Sequence, residues 1–241
     1  DLAALVGLVA AEALVLRDRP VGGWRDRRWT YVPFDRALPD IKLDSMTEAE
    51  GDFILLRAYV RAFGPATRRD AGWWTGMGVR RVDRALDHLG DEIVDVVLGA
   101  AEEPYLMHAA DVDELPTAAL VARPQIALLP VLDPLVMGYA RKDRFVSDDL
   151  RPYVFDRSGN ATSTILVDGR ITGVWDVAPD PGPRVLLYQP GDADGDMMTV
   201  IEQRAAEIGV AITGERVPVE IVGGMEPLAS RRAGSFAHPL R

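Results

Sequence analysis

The residues of this chain best suited to chemistry are arginines, and their spacing suits contact with phosphates and base edges. Arg80, Arg81 and Arg84 lie in a segment where Val79, Val82, Leu86 and Leu89 recur at i, i+3, i+7 and i+10. That spacing predicts a helix that packs on one side and shows three arginines on the other, which is what a reader of the DNA major groove needs. A second basic group comes earlier: Arg17, Arg19, Arg25, Arg27 and Arg28, with Trp24 and Trp29 interleaved. A loop of this kind can touch phosphates or enter a minor groove. Its alternative reading is a solvated hairpin tip with two partly packed tryptophans.

Other chemistries find little support. The three histidines, His88, His108 and His238, make no H-x-x-x-H spacing. There is no cysteine, which rules out disulfides, thiolate zinc sites and cysteine nucleophiles. Asp192, Asp194 and Asp196 imitate the opening of a calcium loop, but the glycine is misplaced and the twelfth position is Gln203. A polar turn, with Asp196 capping the next helix, is the expected structure there. No G-x-S-x-G, phosphate-loop or dinucleotide-binding motif occurs. No metal and no cofactor is expected, and no catalytic centre is self-evident.

The net charge of −10 over 241 residues argues against nucleic acid until its distribution is considered. Residues 1–90 carry 14 Lys and Arg against 13 Asp and Glu; residues 91–241 carry 13 against 24. The acidity sits in the second part, and DNA affinity depends on a local basic face rather than on the total. No run of 18 apolar residues exists, so no membrane partner is expected. The apolar start has no basic flank and contains Glu12, unlike a secretory signal. A cytoplasmic, nucleoid-associated location is expected. The chain opens at Asp1 inside a helical pattern, so an upstream segment is expected as well.

The elements that must position these side chains can be read from pattern. An apolar helix over residues 2–13, a strand at 14–16, the basic loop and a strand at 29–32 make the second half of a winged helix, with the loop as wing. Pro33 to Asp44 reads as a linker. Thr47-x-x-Glu50 is a capping box opening a helix with Phe53, Leu56, Tyr59, Val60 and Phe63 as its apolar stripe. Gly64-Pro65 ends it, and Thr67-x-x-Asp70 caps a short helix bearing Trp73 and Trp74, at least one of them expected in the core. Gly76 and Gly78 turn into the arginine helix. Residues 93–98 and 105–108 give a second winged hairpin, whose tip, with Glu102 and Glu103, is a poor phosphate binder. Strands follow at 126–130, 164–167, 170–175, 184–188 and 217–222, with a helix at 197–208; Asp168-Gly169 suits a type I′ hairpin turn. The expected fold class is α+β: tandem winged-helix (helix-turn-helix) modules followed by an all-β, barrel-like domain. The expected divisions are 1–44, the end of a winged helix with its wing and linker; 45–122, a second winged helix; 123–222, a mainly β domain; and 223–241, a loose tail.

Three stretches together resemble a known family. They are residues 55–67 (Leu-Leu-Arg-Ala-Tyr-Val-Arg-Ala-Phe-Gly-Pro-Ala-Thr) with Trp73-Trp74-Thr75-Gly76; residues 128–138 (Leu-Leu-Pro-Val-Leu-Asp-Pro-Leu-Val-Met-Gly); and Gly159-Asn160 with residues 164–175. In this order they resemble the winged-helix DNA-binding proteins of the AlkZ/YcaQ type, bacterial DNA glycosylases that unhook interstrand crosslinks. The resemblance runs from about residue 5 to 178. It implies tandem winged helices on a β scaffold, a cleft for double-stranded DNA, and metal-free excision of N7-alkylated purines. N7 alkylation already makes the base a cationic leaving group, so the protein has mainly to place a water and stabilise oxocarbenium charge. The family uses a Gln-φ-Gln or Gln-φ-Asp motif for this, near its N-terminus. Gln125, Gln189 and Gln203 make no such motif, so no catalytic residue transfers, and the motif is expected upstream of Asp1.

What the resemblance does carry over is DNA contact, by Arg80, Arg81 and Arg84, by Arg25, Arg27 and Arg28 of the first wing, and by Arg157 and Asn160 before the hairpin. Asp133 matches the family's Leu-Pro-x-x-Asp position, as a polar cleft group or, the favoured reading, as a turn aspartate bonding backbone N–H groups. The reading adopted is a DNA-repair glycosylase or its DNA-binding body. The alternatives are a non-catalytic winged-helix DNA-binding protein or regulator, and a protein–protein module. A regulator usually dimerises to read two half-sites, and no dimerisation helix is evident, so a monomer is expected.

Overall fold

A computed structural model describes residues 2–22, 28–99, 103–114, 124–178, 182, 184–189 and 195–230. The chain divides into two compact units, residues 1–51 and 52–241.

In the first unit, helix α1 (Leu2–Ala11) leads into strands β1 (Val15–Pro20) and β2 (Trp29–Pro33), which pair antiparallel with an irregularity between Arg17 and Pro20. The expected linker contains a helical turn, α2 (Phe34–Ala37). Pro33 precedes it with φ −54°, a value its ring imposes and a following helix accepts. Thr47 and Glu50 close their capping box as read: Thr47 N–H donates to Glu50 Oε2 at 2.7 Å, and Glu50 N–H donates to Thr47 Oγ1 at 3.3 Å. Together they satisfy two of the free donors at the start of helix α3 (Glu48–Phe63).

The second unit takes up most of α3, then α4 (Arg68–Thr75) and α5 (Val79–Leu89). Leu56, Tyr59 and Val60 of α3 are buried, so its apolar stripe faces inward as its spacing requires. Thr67 and Asp70 form a complete capping box on α4, which ends at Gly76 with φ 75°, a left-handed conformation glycine adopts without steric cost. Strands β3 (Ile93–Val96) and β4 (Tyr105–His108) pair antiparallel, and the short helix α6 (Ala109–Glu114) follows.

Beyond them come β5 (Ile126–Leu129), the short helices α7 (Pro134–Met137) and α8 (Arg151–Val154), β6 (Thr164–Val167), β7 (Arg170–Ala178), β8 (Arg184–Tyr188), helix α9 (Gly195–Thr213) and β9 (Val219–Ile221). The sheet order is β5-β6-β7-β8-β9, antiparallel except for the parallel pair β8–β9. The β6–β7 turn has Asp168 at φ 48° and Gly169 at φ 82°, the two positive values that a type I′ turn needs.

One expectation is corrected here. Among the described residues no barrel closes: the sheet is open and α9 covers one face of it. Ile165, Val185 and Leu187 on that face pack with Ile201 and Ala205 of α9. The opposite face, through Ile171, Val174 and Leu186, joins the core that runs on through Val136, Phe145 and Val154 to Leu56 and Val82. A sheet covered on both sides by one helix and one core has no need to curl shut. The helix also runs past its expected end at Ile208. The glycine it runs through, Gly209, lowers helix propensity. A Cβ on Gly209 would lie 2.6 Å from Val217 Cγ2 and 3.1 Å from Val185 Cγ2 of β8, so glycine is what lets α9 approach the sheet. The tail expected to be loose from Gly223 is docked as far as Ser230: Leu228 is fully buried in a turn of 3-10 helix against α8.

Candidate nucleic-acid interface

Helix α5 carries the first candidate residues. Val82, Ala85 and Leu89 are buried and Leu86 partly so. Val79, read as the first residue of the packing face, is 77% exposed. The stripe is therefore centred on Val82, Ala85 and Leu89. Directly opposite lie Arg80 and Arg84, both exposed, with Arg84 Nε donating to the Arg80 carbonyl at 3.3 Å. Asp83 and Asp87 are exposed on the same side. The outer strip is thus mixed in sign, and its arginines lie among two carboxylates.

Arg81 stands apart from its neighbours. It is half-buried, and its Nε donates to Asp52 Oδ2 at 2.8 Å while its Nη2 donates to Asp52 Oδ1. This fork ties α5 to α3. The hydrogen bonds from Arg81 hold the Asp52 carboxyl below its ordinary range. Next to it, the exposed His88 ring stacks on Phe53 with centroids 4.1 Å apart.

The β3–β4 hairpin is fastened to these helices. Arg68 at the start of α4 donates two hydrogen bonds to Asp95, at 3.0 and 3.1 Å. Leu106 exchanges backbone hydrogen bonds with Ala66 at 2.7 and 3.1 Å. Glu92 accepts from Arg57 Nη2 at 2.8 Å and lies 3.4 Å from His108 Nε2. The arginine bonds hold its carboxyl below the ordinary range. His108 Nδ1 accepts from the Ala110 N–H at 3.3 Å, leaving Nε2 to face Glu92.

The loop bearing Arg157 and Asn160 is shaped by a buried carboxylate. Asp156 Oδ1 accepts from the N–H groups of Ser158 (2.8 Å) and Asn160 (3.0 Å), and Oδ2 accepts from Asn160 Nδ2 (3.1 Å). Asn160 therefore has its side chain engaged within its own loop. Arg157 is exposed, and its Nη2 donates to the Ser230 carbonyl at 3.2 Å, so the docked tail and this loop meet. In the first unit Arg28 is exposed and its carbonyl accepts from Val21 N–H; Arg25 and Arg27, with Trp24, lie outside the described residues. Glu102, Asp192, Asp194 and His238 do too. Asp133 caps α7 by accepting from Leu135 N–H at 2.9 Å, the turn role favoured for it. Among the described residues no group of three His, Asp or Glu side chains converges as a metal site.

Sequence reasoning missed the brace that holds α4. The buried Asp70, besides capping α4, accepts from the N–H groups of Ala140 (2.8 Å) and Arg141 (3.3 Å). Lys142 is buried, its ammonium donating to the carbonyls of Tyr139 (2.5 Å) and Val136 (2.9 Å) and lying 4.5 Å from the Trp73 ring centre. Burial pushes that ammonium down to about 8, against the opposing pull of Asp70. Tyr59 OH donates to the Gly138 carbonyl and Tyr139 OH to the Phe63 carbonyl. One signal was available: Lys142 is one of only two lysines in an arginine-rich chain. Trp73 and Trp74 are both partly exposed, Trp74 packing on Tyr59 and Phe63 at 5.3 and 5.5 Å.

The molecule is thus an α+β protein whose second unit joins three helices and a hairpin to an open sheet through one shared core. The model of the AlkZ-like DNA glycosylase family matches residues 2–211, and the chain belongs to that family. An interstrand DNA cross-link repair glycosylase of Streptomyces sahachiroi is 27% identical over 173 residues, which are 70% of this chain and 44% of that protein. The solved structure of the Streptomyces sahachiroi DNA glycosylase AlkZ superimposes with a TM-score of 0.73 at 19% identity, covering 91% of this chain and 57% of that one. The chain spans about half the length of these relatives.

Proposed function

We propose that this chain is a DNA-repair glycosylase, or the DNA-binding body of one, that acts on duplex DNA carrying N7-alkylated purines or interstrand crosslinks. The observation that carries the reading is the family match over residues 2–211. The three helices α3 to α5 with hairpin β3–β4, and the hairpin β1–β2 with α1, are read as parts of tandem winged helices in a monomer working in the cytoplasm at the nucleoid. Within them α5 is the recognition helix. Arg80 and Arg84 take phosphates or guanine edges, and Asp83 and Asp87 have the chemistry to accept from cytosine N4. Arg28, with Arg25 and Arg27, and Arg157 add phosphate contacts. Arg81 and Asn160 serve the same surface indirectly, since their side chains hold α5 and the Arg157 loop in shape.

Excision of an N7-alkylated base needs little acid catalysis, because the base leaves without a formal negative charge. The protein's task is to hold the duplex and direct a water and a stabilising dipole to the anomeric carbon. No residue of this chain is assigned to that step.

The test is a base-release assay on duplex DNA containing N7-methylguanine, run beside equilibrium binding to the same duplex over a salt series. Salt-sensitive binding with base release supports the full reading. Salt-sensitive binding without release leaves the DNA-binding body of such an enzyme or a non-catalytic DNA-binding protein. Absence of duplex binding at any salt removes the proposal.

A further inference from the structure

The β1–β2 hairpin has two unlike faces. Trp29 and Tyr31 are two residues apart on β2, so they share a face. Arg17 is the cross-strand partner of Tyr31 and joins them there. Its guanidinium carbon lies 5.1 Å from the Trp29 ring centre, in keeping with that placement. Trp29 is 37% exposed and Tyr31 41%. The other face is differently used. Thr30 Oγ1 donates to Asp18 Oδ2 at 3.0 Å, and Leu16 and Val32 are half-buried. Among the described residues the outward face therefore presents two aromatic rings and a guanidinium. Over residues 15–33 the chain has five arginines and two aspartates, a positive balance on the hairpin that carries the platform.

Neighbouring aromatic rings beside an arginine stack nucleobases, whose π faces all bases share; the guanidinium plane adds a stacking surface and a phosphate contact. Bases inside a duplex already have both faces covered. We infer that the Trp29–Tyr31–Arg17 face is a stacking platform for unpaired bases of single-stranded DNA, separate from the duplex-binding face of α5. The inference rests on the reading of this chain as a DNA-binding protein and adds to it a preference that α5 does not supply.

The experiment is fluorescence anisotropy with the whole chain on a labelled oligothymidylate and on a blunt duplex of the same length. Trp29→Ala weakens oligothymidylate binding about tenfold, the scale of losing one stacked base, and leaves the blunt duplex within about twofold. Tyr31→Ala gives a smaller loss of the same kind, and Trp29→Phe, which keeps a ring, restores most of the affinity. Thermal melting of each variant reports folding, and Tyr31→Ala carries the test if Trp29→Ala melts early. Equal losses on both DNAs, or no loss on oligothymidylate, overturn the platform. Wild-type protein that binds the duplex but not oligothymidylate overturns it too, while leaving the proposed function standing. Failure to bind duplex overturns the proposed function instead.

Discussion

The two hairpins of this chain share a plan and differ in use. Both β1–β2 and β3–β4 are two-stranded antiparallel sheets that follow helical segments. In β1–β2, Trp29, Thr30 and Tyr31 are all exposed. In β3–β4, Leu106, Met107 and His108 are all buried, and the register runs unbroken from Ile93↔His108 to Val96↔Tyr105. The first hairpin is irregular between Arg17 and Pro20, where the strand carries charge and proline rather than packing residues. A hairpin's topology therefore says little about its task. What separates the two is whether its side chains complete a core or are left to meet something else.

The sharpest way to break this comparison is to remove one side chain from each hairpin. Leu106 is 1% exposed, within the core that includes Leu56 and Val82. Leu106→Ala is expected to cost about 2–5 kcal/mol, transfer and cavity together. Trp29→Ala, at a partly exposed site, is expected to cost under about 1 kcal/mol. Urea denaturation of the two variants measures both. Similar losses would mean that β1–β2 is as much a structural part as β3–β4 and that Trp29 is not free to serve as a platform.

The same division runs inside helix α5, with smaller effects. Arg81 is paired and Arg80 is not enclosed, though they are adjacent in sequence. Arg81→Ala removes the fork to Asp52, and because that guanidinium is partly solvated, about 1 kcal/mol of stability is the expected loss. Arg80→Ala is expected to leave stability within about 0.5 kcal/mol. In DNA binding the order reverses: Arg80→Ala lowers the slope of log affinity against log salt by about 1, the signature of one lost phosphate contact. If Arg81→Ala gave the larger change in slope with no change in stability, its pairing with Asp52 would be incidental to its role.

Local chemistry was legible in the sequence, and long-range chemistry was not. Both capping boxes and the Asp168-Gly169 turn were readable because every atom involved lies within four residues. The inward face of α3 was readable from periodicity alone. Val79 was misjudged because a 3.6-residue period fixes a direction and not the edge of the buried arc, and a residue in the first turn of α5 projects past the core. The pairing of Arg81 with Asp52 spans 29 residues and the bond from Asp70 to Ala140 spans 70; no spacing rule reaches that far. The open sheet escaped for the same reason, since strand number and alternation say nothing of whether edges meet. Of the residues proposed to contact DNA, exposure of Arg80 and Arg84 followed from the pattern, but the carboxylates beside them at Asp83 and Asp87 did not enter it.

The smallest of these effects is also the one that separates paired from unpaired groups without touching DNA. Asp52 and Glu92 have carboxyls held below their ordinary values, chiefly by hydrogen bonds from Arg81 and Arg57. In the unfolded chain both return to about 4. Between the folded and unfolded values the unfolded chain binds more protons, so stability rises with pH there. Their contribution is accordingly complete above about pH 5 and is lost as the pH falls through the folded values, when protonation weakens both pairs. Thermal melts from pH 7 down to pH 3 should show the midpoint holding and then falling. Arg81→Ala returns Asp52 toward its ordinary value, so the variant starts lower and its decline on acidification is shallower. Parallel curves for wild type and variant would mean that Asp52 does not draw its acidity from Arg81, and the fastening of α5 to α3 would have to be sought in the apolar contacts of Val82 and Leu56 instead.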